Sequence, residues 1–128
     1  MASELRVNTL KDASGNNSIA TSFVAGGSAK AWVNFNGTGT IAARDSLNLS
    51  SLTDSGTGLY IVNHTSSMSD ANYSVVSGGS RDDPESSRCH PQNLYTFASG
   101  SYKIATHNDG STSVDWTIIT QSVNGDLA

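Results

Sequence analysis

A chain of 128 residues has room for one domain and a single modest core. Only 14% of it is charged, and Ser, Thr, Asn and Gly fill most of what the apolar 36% leaves; that balance argues against a helical protein, which draws on Glu, Lys, Ala and Leu, and against a disordered one. The formal net charge of −4, with no clustered Lys or Arg, disfavours nucleic acid as a partner, since phosphates demand a basic stripe.

The opening Met1-Ala2-Ser3-Glu4-Leu5-Arg6 lacks the basic-then-apolar order of a secretory signal, and no apolar run approaches the length of a membrane helix. The expectation is a product made in a cytoplasm, kept intact and independent of membranes. The single cysteine, Cys89, allows no internal disulfide. Packing, and contacts with other subunits, must then supply the stability.

In chain order, Leu5-Arg6-Val7-Asn8-Thr9-Leu10 alternates with period 2, and the turn-rich Asp12 to Asn17 separates it from Ser18-Ile19-Ala20. This predicts a small hairpin with too little apolar surface to stand alone. Leu5, Val7, Leu10 and Ile19 are its candidate attachment or oligomerisation residues. Ala25-Gly26-Gly27-Ser28 reads as a flexible joint.

Stronger alternation follows. Ala31 to Phe35, Ile41 to Arg44, and a stretch marked by Leu47, Leu49 and Leu52 are strand candidates. Asp54 to Gly58 leads into Leu59 to Asn63, a hairpin with a loop longer than the two-residue minimum. Asn72 to Val76 is a further strand, closed by Gly78-Gly79. Ser80 to Gln92 reads as a surface loop, and Leu94 to Ala98, Tyr102 to Thr106 and Val114 to Gln121 as strands. In the last, Val114, Trp116 and Ile118 are expected on one buried face, with Asp115 and Thr117 opposite. The one helix-like window, Thr65 to Ala71, is Ser-rich and reads as a loop or single turn. The whole predicts an all-β protein, an antiparallel β-sandwich over 29–128 preceded by a short extended N-terminal segment over 1–28.

Chemistry-bearing residues are sparse. His64, His90 and His107 lack ligand spacing and read as solvent-facing or locally bonded, so no metal and no cofactor is expected. Asp82, Asp83 and Glu85 lack the spacing of a calcium loop and, beside Arg81 and Arg88, read as a solvated loop. Cys89 and His90 are adjacent, which does not place a base on a nucleophile, and no Gly-x-Ser-x-Gly elbow occurs. Carboxylate pairs such as Asp109 and Asp115 cannot be placed from the sequence, and no enzymatic activity is expected. Trp32, Phe35, Tyr60, Tyr73 and Trp116 are expected in the core, Tyr102 less clearly so. Arg81, Asp82, Asp83, Arg88, His90 and Tyr95 form the candidate surface-recognition set, with host surface polysaccharide as its ligand.

Several of these segments together resemble a known family. Ser3-Glu4-Leu5-Arg6-Val7-Asn8-Thr9-Leu10 looks like the start of tail-fibre-like and virion structural proteins of marine and freshwater cyanobacterial phages. Lys30 to Thr40, Arg44 to Asn48, Thr53 to Gly58 and Met68 to Tyr73 are similar to a recurrent module in them, in consistent order, over roughly residues 3 to 78. The resemblance implies a bacteriophage virion protein: a short tail fibre or a fibre- or baseplate-associated appendage for host attachment, commonly a homotrimer in contact with other phage structural proteins. A capsid decoration protein and a glycan-binding module are the alternatives.

Overall fold

The computed structural model describes residues 3–81 and 92–128. Strands dominate. β1 (Thr9–Leu10) and β2 (Ile19–Ala20) form a short antiparallel hairpin, and α1 (Thr21–Gly27) follows it. The body holds β3 (Ala29–Asn36), β4 (Ala42–Leu47), β5 (Leu49–Gly56), β6 (Leu59–His64), β7 (Ser74–Ser80), β8 (Gln92–Ala98), β9 (Ser101–Thr106) and β10 (Ile118–Asn124). They build two four-stranded antiparallel sheets, β4-β3-β10-β7 and β5-β6-β9-β8, packed face to face as a β-sandwich.

Alternation decides which side chains lie between the sheets. Ala31, Val33 and Phe35 of β3, Tyr60 and Val62 of β6, Tyr102 and Ile104 of β9, and Ile119 and Val123 of β10 are buried, together with Met68, Tyr73 and Trp116 from the connections. Phe35 and Tyr60 meet edge to face, their centroids 5.4 Å apart. Farther along, Tyr73 and Tyr102 flank His64, and Phe97 packs against both tyrosines. The chain crosses from one sheet to the other between β4 and β5 at a single residue, Asn48, whose φ of +56° asparagine tolerates. Its side chain holds the corner by accepting the Ser66 N–H at 2.7 Å and donating to the Ser66 carbonyl at 3.0 Å. A second polar stitch lies inside the sandwich. Buried Gln121 donates to Ser77 Oγ at 2.8 Å and to Gln92 Oε1 at 3.1 Å, tying β10, β7 and β8.

Several local expectations need correction. Residues 25–27, expected as a flexible joint, end helix α1. Only Thr9–Leu10 of the first alternating run pairs as a strand. The β5–β6 turn is the tight pair Thr57-Gly58, and a register shift between Asp54 and Gly56 absorbs the extra residue as a bulge. Gly78 and Gly79 do not close β7, which runs on to Ser80. The last strand starts at Ile118 rather than Val114, and its phase is inverted: Ile119, Gln121 and Val123 point inward while Ile118 is exposed. Non-strand backbone from Val114 to Thr117 separates Trp116 from Ile119, so the two can both be buried although three residues apart. Trp32 is not a core residue. It alternates with Ala31 and Val33 and lies half-buried on the outer face of its sheet.

His64, expected solvent-facing or locally bonded, is buried, and among the described residues neither ring nitrogen has a hydrogen-bond partner. Burial holds its pKa below the ordinary value, with the Asn48 backbone opposing weakly. The tyrosines around it are displaced the other way: burial pushes Tyr73 up to about 12 and raises Tyr102 further. The unfolded chain therefore takes up a proton near pH 6.5 that the folded chain resists, so stability falls as pH drops below that value. The free energy of unfolding measured in urea should decrease between pH 7.5 and pH 5, with His64 contributing no more than about 1.4 kcal/mol per pH unit. His64→Gln should flatten that dependence; an unchanged slope in the variant would remove His64 as its source.

Candidate functional site: the N-terminal arm and the sheet faces

Residues 3–28 form an arm held in shape by polar bonds rather than by a core. Asp12 closes the β1–β2 loop: its carboxylate accepts the N–H groups of Ser14 and Asn16 at 3.0 and 2.8 Å and the Asn17 amide at 2.8 Å. Gly15 and Asn17, both at positive φ, complete the turn. Thr21 ties the start of α1 back to the residues just before β1, its Oγ1 donating to Val7 O at 3.1 Å and its N–H to Asn8 O at 2.9 Å. At the far end Lys30 Nζ donates to the carbonyls of Ser28, at 3.0 Å, and Ala25.

Apolar burial is missing from this segment. Leu5 is 81% exposed and Phe23 73%, and Val7, Leu10, Ile19 and Val24 are all exposed. Leu10 and Ile19 are cross-strand partners, which sets their side chains together. Helix α1 has seven residues, no side-chain N-cap and no buried residue, so neither propensity nor packing explains its stability in isolation. The sequence had singled out Leu5, Val7, Leu10 and Ile19. It missed Phe23 and Val24, whose adjacency in Thr21-Ser22-Phe23-Val24-Ala25 was the available signal.

The surface-recognition candidates divide. Asp82, Asp83, Arg88 and His90 lie outside the described residues, as do Cys89 and Glu85. Arg81 is half-buried just beyond β7. Tyr95 is exposed on β8 and sits directly opposite Lys103 of β9, on the outer face of its sheet.

The opposite outer face is better defined. The pairings of β4-β3-β10-β7 align Leu47, Trp32, Ser122 and Val76 in one cross-strand row. Asp45, Asn34, Thr120 and Gly78 form the next. A bulge between Asn34 and Phe35 leaves Arg44 without an opposite residue. Its guanidinium reaches across the face, donating to Asn34 Oδ1 at 3.2 Å and to the Thr117 carbonyl at 2.6 Å.

Asp115 Oδ1 accepts the Tyr60 hydroxyl at 2.9 Å and the Gly58 N–H at 2.6 Å, and so fixes the segment that leads into β10. Burial, and then the Asp115 carboxylate, raise the Tyr60 pKa well above its ordinary value. Asp109 lies in an exposed turn. Among the described residues no group of three His, Cys, Asp or Glu side chains is placed to hold a metal ion. No described helix is long and apolar enough to cross a membrane. No family model, curated protein or solved structure matches the chain.

Proposed function

We propose that this chain is a non-enzymatic structural protein of a bacteriophage particle, a short tail fibre or fibre-associated appendage. In this reading the N-terminal arm docks and the sandwich is displayed. The observation that carries it is the arm itself: six apolar side chains, from Leu5 to Val24, are ordered by polar bonds yet left in water. Covering such side chains is favourable by about 25 cal/mol for each Å² removed from water, so the arm gains stability only against a second surface. Neighbouring copies supply that surface, in the trimeric arrangement that the resemblance of residues 3 to 78 implies, together with other proteins of the particle.

Charge placed on the arm tests the reading. The double substitution Leu5→Asp, Val7→Asp should reduce the assembled species seen in sedimentation to monomer and abolish incorporation into particles. The thermal transition of the sandwich should barely move, because neither residue contributes to the core. A wild-type chain that sediments as a monomer with its arm resistant to protease would sink the proposal.

A further inference from the structure

We propose that the outer face of the β4-β3-β10-β7 sheet is a glycan-binding platform, on which a pyranose ring stacks against Trp32 and bonds to the polar row beside it. Trp32 is half-buried on the outer sheet face and is not part of the core, which Val33 and Phe35 on the other side of the same strand help to fill. Its neighbours are chemically mixed. Leu47 and Val76 extend the apolar row, and Val76 is 64% exposed. Asn34, Thr120 and Ser122 supply amide and hydroxyl groups one strand or one row away. Strands are spaced about 4.8 Å apart and same-face residues roughly 7 Å apart along each strand, so the stacking surface and the bonding groups fall within one sugar ring of each other.

The face also has relief. Above β7 and β10 lies a depression of about 240 Å³ lined by Val76, Ser77, Gly78, Thr120, Gln121 and Ser122. Gly78 keeps it open: a Cβ there would stand 3.1 Å from Thr120 Oγ1. Arg44 fixes the Asn34 amide by donating to its Oδ1, which leaves the amide nitrogen as the donor of that group. Of the eight positions in the two rows, only Asp45 bears an ionisable side chain. A surface with one cation, Arg44, and one carboxylate, Asp45, beside an aromatic plate and hydroxyl and amide groups matches a ligand with a C–H face and a hydroxyl rim. It does not match a polyanion. This is a different face from the one that carries Tyr95, and the proposal does not rest on the arm.

Isothermal titration of the full chain with neutral hexasaccharides of glucose, galactose, mannose, N-acetylglucosamine and xylose tests it. At least one should bind saturably, with quenching of tryptophan fluorescence. Trp32→Ala should weaken that binding by roughly tenfold or more, as expected for the loss of an aromatic stacking contact. Gly78→Val should weaken it by filling the depression, and it decides the matter if the Trp32 variant fails to fold. The Leu5→Asp, Val7→Asp protein should keep its affinity, which separates this proposal from the docking one. Absence of saturable binding to all five sugars, or equal affinity in the Trp32 and Gly78 variants, overturns it.

Discussion

Replacing Trp116 with alanine is expected to lower the free energy of unfolding by about 3–5 kcal/mol, the range for removing a buried aromatic side chain. Trp116 is 1% exposed and is among the largest fully buried side chains. It also anchors irregular backbone. Its carbonyl accepts the Gly37 N–H at 2.9 Å, and its indole N–H donates to the His107 carbonyl at 3.3 Å. Truncation therefore leaves a cavity at the entrance to β10 and frees a partly buried acceptor. Small domains are stable by only about 5–15 kcal/mol, so the variant should melt much earlier and respond to far less urea. The same truncation at Trp32, on the outer face, should cost much less. Equal losses in the two variants would mean that the placement of one ring is wrong.

Gly58→Ala should destabilise the fold by about 2–5 kcal/mol, summing the cost of a left-handed residue and of overpacking. Gly58 has φ +67°, and a Cβ there would lie 2.6 Å from Thr106 O and 2.8 Å from both N and O of Val114. All three are backbone atoms, so no side-chain rotation relieves the overlap. The crowding arises because the tight turn between β5 and β6 is clamped from both sides. Thr106 N–H donates to Gly58 O at 2.8 Å, and Gly58 N–H donates to the Asp115 carboxylate at 2.6 Å. Gly39 supplies the control. It has φ +63° and nothing within 4 Å of where its Cβ would be, so Gly39→Ala carries the conformational cost alone. Calorimetric melting of both variants separates the two contributions. A Gly58 variant no less stable than the Gly39 variant would show that the clamp yields.

These two sites mark where reading the sequence succeeds and where it stops. Ala31 to Phe35 was legible as a strand but its buried side was not: Trp32 and Phe35 are both expected in the core, whereas alternation puts them on opposite faces and only Phe35 is buried. Near Trp116 the period-2 rule was carried one residue too far. A bend at Thr117 resets the phase, and a one-residue slip sends every later side chain to the opposite face. His64 gave no signal of its burial, because a histidine in an alternating strand suits either face.

By itself the sequence determined the class of structure: short alternating segments divided by Gly, Asn and Asp, too poorly charged for a helical or disordered chain, give antiparallel sheets. It also placed a greasy leading stretch outside the main body of strands. Tertiary structure decided the rest: which face of each strand looks inward, how the β10 segment is re-phased, that residues 21–27 coil, and that Trp32, Asn34 and Thr120 stand side by side on one outer surface. Periodicity groups residues into faces, whereas only the packing of one sheet on another, with its bulges and corners, fixes which face meets water.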